Sequence, residues 1–246
     1  MNQKTIPGPA YNIKAFEPGT ETSGLEFLKF ASRETNLKNL DQAIHNVSLG
    51  MEMISVLDNA SSKLENILSQ VKQWVSPALA SNFEDAQVAT LAVKISLKLR
   101  ELDQVAESCK YNGQKLLNGS LSVSINADAH SYLVVGTNGS PANRINLNTS
   151  LNIPPINSKT LGLGALSIHS PKNGLKGLMV LENALGILNR LKQRSTALGT
   201  HLQEIQLHLS TAIENHHAAD MAPDSYEQAR ELLKVASNFI KKNKGE

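Results

Sequence analysis

The chain is poor in the features that mark a compact globule, an enzyme or a membrane protein. Its 246 residues contain one cysteine, Cys109, which excludes an internal disulfide framework. Aromatic residues are only 4%, although hydrophobic residues reach 41%, so the chain must bury Leu, Ile, Val and Ala rather than large rings. The formal net charge of +2 is small and evenly spread, which argues against nucleic acid as a partner and against an anionic surface. No apolar run approaches the length of a membrane span, so membrane insertion is not expected. The first thirty residues lack the basic-then-apolar order of a secretory signal, which points to the cytoplasm or to an export route without such a signal.

Catalytic and ligand-binding patterns are missing as well. Among seven histidines, His201 and His208 are seven apart and His216 and His217 adjacent, and none has the i, i+4 spacing with which two imidazoles grip one ion. No metal site and no cofactor are expected. The carboxylate pairs Glu84/Asp85 and Glu101/Asp103 fall on polar faces of helices, as solvated charge. LGLGALSI has two glycines spaced like part of a phosphate loop, but no strand leads into it and no Lys-Ser or Lys-Thr follows. Nothing in the chain reads as an enzyme.

What the chain does have is a three-four rhythm of apolar residues in two distant segments. Leu37, Leu40, Ile44, Val47, Met51 and Ile54 form one stripe, and Leu181, Leu185, Leu188, Leu198, Leu202, Ile205 and Leu209 another. Each is the seam of a coiled coil, buried only against a second helix. The two ends of the chain are therefore expected to pair as an elongated antiparallel helical rod, a mainly α fold with a small β-hairpin region between the halves. Residues 1–23, with Pro7, Pro9 and Pro18, form an extended arm. Rod helices occupy 24–110, with a slip of one position near Asp58 to Ser62 and a stop at Pro77. Within this stretch a second helix, Glu84 to Lys110, places Val88, Leu91, Ile95, Leu99, Leu102, Val105 and Cys109 on one face. Residues 111–174 read as a small sheet and loops, with strands in LSVSIN, SYLVVG and RINLNT, Ile145 and Leu147 inward, and Asn138-Gly139 as a tight hairpin turn. Residues 175–246 return to the rod and include a last helix over Ser225 to Lys242, after Pro223.

Several blocks of this sequence resemble the bacterial flagellins. Leu40, Gln42, Ala43, Asn46 and Gly50 match the family's L-x-Q-A-x-x-N-x-x-x-G stretch on its first long rod helix. ILSQVKQWVSPA follows as in the family, and LRELDQVAESCKYNGQKLLNGS is similar to the end of the second helix, with Tyr111, Asn112 and Gly113 in the turn beyond it. SKTLGLGALSI and QRSTALGTHLQEIQ, with Arg194, Ser195, Leu198 and Gly199, resemble the later blocks in the right order. The resemblance spans roughly residues 25–217. It implies a structural subunit of the flagellar filament that contributes to motility, with other flagellin subunits as partners and a flagellar export chaperone before assembly. It also implies cytoplasmic synthesis, export without a cleaved signal peptide, and an extracellular place on the flagellum. The family's terminal helices pair to line the filament core, whereas the proline-rich arm and the charged end KKNKGE depart from that pattern. An alternative role follows from this departure: a non-polymerising flagellin-like binding protein, acting as assembly regulator, surface receptor or chaperone decoy. The twelve residues named in the matching blocks are the candidates for rod or subunit packing.

Overall fold

A computed structural model describes residues 21–79, 84–138, 140–166, 168, 170–221 and the short helical stretches 230–231 and 233–235. Most of the expected arm and most of the expected last helix lie outside these residues. Helix α1 runs Glu21–Val75, 55 residues, and α4 runs Pro171–Met221, 51 residues. At about 1.5 Å per residue each is roughly 80 Å long. Between them come α2 (Asp85–Ser108), β1 (Lys110–Tyr111), β2 (Gln114–Lys115), β3 (Tyr132–Val134), β4 (Arg144–Asn146) and the short helix α3 (Leu147–Leu151).

The α1 seam is a strict heptad. Leu40, Ala43, Val47, Gly50, Ile54, Leu57, Ser61, Leu64, Leu68, Val71 and Val75 alternate steps of three and four, and all are buried. Along α4 the same alternation runs through Gly174, Gly177, Leu181, Ala184, Leu188, Leu191, Ser195, Leu198 and Leu202, again all buried, and continues through half-buried Ile205 to buried Leu209. The two seams face each other in opposite directions, since Lys72 pairs with Glu182, Lys192 with Glu65, and the Ser195 hydroxyl donates to Asp58. An unbroken 3.5-residue period keeps one face turned to one partner over the whole length.

Two expectations about the rod are corrected. No slip occurs at Asp58 to Ser62, because Ile54, Leu57, Ser61 and Leu64 continue the heptad through it. The seam is disguised there by a serine on the buried line and by apolar Ala60 beside it. Ile44, Met51 and Leu185, expected on the stripes, are half-buried flanks, and the small residues Ala43, Gly50 and Ala184 occupy the centre. Small residues allow close helix approach, whereas large side chains at the flanks close the seam from its sides.

A second buried line on α1, Met53, Ala60 and Ile67, appears where α2 lies alongside. Helix α2 faces the bundle with Val88, Ile95, Leu102 and Ala106, with Leu91, Leu99 and Val105 partly buried and Cys109 buried at its end. Asp85–Ser108 runs back beside α1 because the chain turns through a short 3-10 segment, Ser76–Leu79, that carries Pro77. Its start is fixed by Glu84, whose backbone N–H donates to Gln87 Oε1 at 3.3 Å. Glu84 is thus a helix cap, not plain solvated charge. Burial pushes the Cys109 thiol up to about 11, as expected for a thiolate denied water.

The β region differs from the strands read in the sequence. LSVSIN is not a strand. Leu121 and Ser122 are buried and Val123 is exposed, and the backbone turns through Ser120 to Ser124. Its polar groups are satisfied by asparagines instead of a neighbouring strand: Asn148 Nδ2 donates to Ser120 O and Ser122 O, and Val123 N donates to Asn152 Oδ1. Strands β3 and β4 pair antiparallel with Leu133 opposite Ile145, as SYLVVG and the start of RINLNT suggested. Beyond Asn146 the second of these motifs turns helical, because Asn146 Oδ1 caps α3 by accepting from Asn148 N and Thr149 N. The connection between β3 and β4 is a loop of nine residues, not a two-residue turn at Asn138-Gly139. Asn138 Oδ1 accepts from Ser140 N and Asn143 Nδ2, and Pro141 opens a 3-10 turn. The tight hairpin sits elsewhere, between β1 and β2, where Asn112 (φ 48°) and Gly113 (φ 79°) take the left-handed conformations of a type I′ turn.

Candidate functional site

The residues of the matching blocks meet at two places: along the seam, and where the hairpins are seated on it. Leu40, Ala43 and Leu198 are buried seam positions. Asn46 stands one position before the seam on α1, and its Nδ2 donates to Val134 O of β3 at 3.0 Å. One turn on, a Cβ added to Gly50 would lie 2.6 Å from Leu133 Cδ2 and 3.1 Å from Leu202 Cδ1. At Gly50, therefore, side chains of α4 and β3 press directly on the backbone of α1. Gln42 is exposed and donates from Nε2 to Asn46 Oδ1 at 3.0 Å, which leaves the Asn46 amide N–H free to face Val134. The spacing 42, 46, 50 is one residue per helical turn, so these three side-chain positions form a ridge that receives the β3–β4 hairpin.

A second seat lies one helical turn and a half further along the rod. Tyr111 Oη donates to Glu52 Oε2 at 3.0 Å and ties the β1–β2 hairpin to α1. Burial and the adjacent Glu52 carboxylate push the Tyr111 phenol above its ordinary range. On α4, Arg194 reaches Asn152 O at 3.1 Å and Leu151 O at 3.4 Å. These are the C-terminal carbonyls of α3, which a cation near the helix end satisfies. Asn152, at φ 43°, ends that helix in the left-handed conformation. Next to Arg194 on α4, Ser195 is fully buried, and its hydroxyl reaches Asp58 across the seam. Gly199 faces α1 with room for a methyl, since an added Cβ would lie 3.5 Å from Ile54 Cγ2, an ordinary contact.

Residues the sequence reading missed complete the joint. Asn148, fully buried, receives Ser131 N at Oδ1 (2.8 Å) and donates twice from Nδ2, at 2.8 and 2.9 Å. One amide thus links three backbone segments. Asp103, read as solvated charge on α2, accepts from Ser158 N at 2.6 Å and from Ser158 Oγ at 2.7 Å. It pins the loop that carries LGLGALSI to the second helix. Neither carried a sequence signal of its role: Asn148 lies in RINLNT, which alternates like a strand, and Asp103 lies on the polar face of a helix, 55 residues from Ser158.

Nothing in this arrangement resembles a reaction centre. Its polar groups face backbone or each other, and their chemistry is that of fixing hairpins to a helical surface. Among the described residues no group of three His, Cys, Asp or Glu is placed to hold a metal ion, and no helix is long and apolar enough to cross a membrane.

Comparison with known proteins finds relatives for the region that carries this joint. The model of the bacterial flagellin N-terminal helical region matches residues 31–122, which carry the 42, 46, 50 ridge and both partners of the Tyr111–Glu52 bond. The 30.7 kDa flagellar filament core protein of Treponema maltophilum is 21% identical over 230 residues, 90% of this chain and 78% of that protein. The 33 kDa flagellar filament core protein of Treponema phagedenis is 18% identical over 245 residues, 97% of this chain and 84% of that protein. In fold, the crystal structure of Bacillus cereus flagellin superposes with a TM-score of 0.51, at 16% identity, covering 68% of this chain and 88% of that one. Blocks of matching residues, their convergence on one joint, and similarity along nearly the whole chain point the same way: the chain is similar to the bacterial flagellins in sequence and in fold.

Proposed function

We propose that this chain is a structural subunit of a bacterial flagellar filament and contributes to motility. The observation that carries the reading is the continuous antiparallel seam between α1 and α4. It consumes the inner faces of both helices and leaves their outer faces, with that of α2, for neighbouring flagellin subunits. Relatives named as filament core proteins over nearly the full chain support the same role. The subunit acts outside the cell, on the flagellum, and reaches it by the flagellar export route without a cleaved signal peptide, after holding by an export chaperone in the cytoplasm. Leu40, Ala43, Ser195, Leu198 and Gly199 serve packing within the rod. Gln42, Asn46, Gly50, Tyr111, Asn112, Gly113 and Arg194 serve the seating of the hairpins.

Immunogold electron microscopy of sheared filaments tests this, using an epitope tag on the chain in its native host. Label distributed along filaments is the expected result. Untagged filaments with all of the protein in the soluble fraction would overturn the subunit role and favour the non-polymerising alternative.

A further inference from the structure

The dipeptide Asn-Gly occurs four times in the chain, at 112–113, 118–119, 138–139 and 173–174. In each, the glycine leaves its own amide nitrogen sterically open to attack the asparagine side chain. That attack forms a bond from the glycine N to the asparagine Cγ and expels the side-chain nitrogen as ammonia. Water then opens the cyclic imide to aspartate or isoaspartate, so the only co-reactant is solvent. The backbone must first leave its folded conformation, because the imide ring fixes the asparagine ψ at a value that neither a helix nor a tight turn supplies. Structure therefore ranks four chemically similar sites.

Three of the four asparagines are anchored. Asn173 lies in the first turn of α4, and the N–H of Gly174 is engaged by Ser170 O at 2.9 Å. Asn118 Oδ1 accepts from Ser120 N, and Gly119 is buried with φ 91°, an added Cβ lying 2.9 Å from Pro155 Cδ. Opening that turn would also strip Ser120 O from Asn148. Asn138 Oδ1 is held by Ser140 N and Asn143 Nδ2. Asn112 differs: its side chain bonds the phenol of the adjacent Tyr111, a contact inside the turn itself. Both residues of its turn are exposed, nothing lies within 4 Å of a Cβ added to Gly113, and the ladder behind the turn has two residue pairs. A two-residue hairpin of that length opens locally at small cost. What resists opening is the tether from Tyr111 Oη to Glu52.

We propose that Asn112 is a site of spontaneous deamidation in the folded protein, gated by opening of the β1–β2 turn and restrained by the Tyr111–Glu52 bond. Conversion places a carboxylate two residues from Gln114 and beside the ion pair of Lys115 with Glu107. The isoaspartate product adds a backbone carbon to a turn whose register leaves no room for one. The hairpin then loses its two-residue pairing while the seam, which shares no residue with it, persists.

Peptide mapping by mass spectrometry tests the proposal on the full-length protein held in mildly alkaline buffer. Trypsin releases residues 111–115 as one peptide, so conversion of Asn112 is read separately from the other three. The folded protein should gain the deamidation mass at Asn112 several-fold faster than at Asn118, Asn138 or Asn173. The urea-unfolded chain should convert all four at similar rates. Tyr111→Phe should accelerate Asn112 alone, and Asn112→Gln should abolish the signal without changing helix content. Conversion at Asn112 no faster than at Asn118 in the folded state overturns the site, and an unchanged rate in Tyr111→Phe overturns the restraint.

Discussion

The seam between α1 and α4 and the segment from Cys109 to Ser170 are held by different chemistry, although one packs on the other. Along the seam, stabilisation is apolar and repetitive: each seam residue adds burial at about 25 cal/mol per Å² of apolar surface. In the connecting segment there is little repetition. Nine asparagines lie between residues 109 and 160, and seven of them bond backbone N–H or C=O groups with their side chains. The rod tolerates exchange among apolar residues of similar size, because transfer energy is non-directional. The connecting segment does not, because an amide that satisfies a buried carbonyl has one geometry.

The largest expected effect attacks the seam. Leu202→Asp places an unpaired carboxylate at a fully buried position and should cost about 4 kcal/mol or more. Gln203→Asp, on the adjacent exposed face, should stay within about 0.5 kcal/mol. Urea unfolding followed by circular dichroism separates them, and equal losses would refute the seam assignment. Next comes Asn148→Ala. It leaves Ser120 O, Ser122 O and Ser131 N without their partner, a loss of about 2–4 kcal/mol confined to the connecting segment. Hydrogen exchange should quicken at residues 120–131 while the core of α1 and α4 keeps its protection. Uniform loss of protection would mean that rod and segment unfold as one unit.

Two glycines sharpen the comparison with opposite signs. Gly50→Ala forces Leu133 and Leu202 aside at once, so it should destabilise by about 1–2 kcal/mol and unseat the β3–β4 hairpin. Gly199→Ala meets only an ordinary contact with Ile54, and its gain in helix propensity should stabilise the rod by about 0.5–1 kcal/mol. Thermal melts of both variants decide it, and a shift of the same sign in both would remove the special role of Gly50. The smallest expected effect concerns Cys109. Its thiol, pushed up to about 11 by burial, should react with alkylating reagents at neutral pH only when the end of α2 opens. Rapid labelling of the native protein would show that this end is loosely packed.

Much of the fold was legible because its dominant signal is periodic. A heptad repeated along two helices survives local noise, so the pairing of the two ends and the helical class followed from apolar spacing alone. The stripe was mis-centred at Ile44, Met51 and Leu185, and a slip was read at Ser61, because bulk was taken as the mark of burial. In a close-packed seam the central positions go to Ala43, Gly50, Ala184 and Ser195, whose small size brings the helices together. The candidate residues Asn46, Gly50, Tyr111 and Arg194 were legible as a pattern, yet their purpose was not, since each acts on a partner distant in sequence: Val134, Leu133, Glu52 and Asn152.

The two Asn-Gly pairs at 112–113 and 138–139 separate what each level decides. The sequence by itself determined that the chain forms long helices with an apolar seam and a turn-rich interruption, because helix period and turn chemistry are local properties. Only the tertiary structure decided which Asn-Gly pair closes a two-residue hairpin, and that LSVSIN turns where its alternation suggested a strand. In both cases the choice falls to whichever partner satisfies the backbone. Lys110 and Tyr111 find Lys115 and Gln114 across the first turn, Asn138 caps its own loop with Ser140 and Asn143, and the carbonyls of Ser120 and Ser122 find the side chain of Asn148. Asn148 meets Ser120 and Ser122 across 28 and 26 residues, a separation that carries no local periodicity, and the two turns differ by partners that only the folded strands and loop put in place.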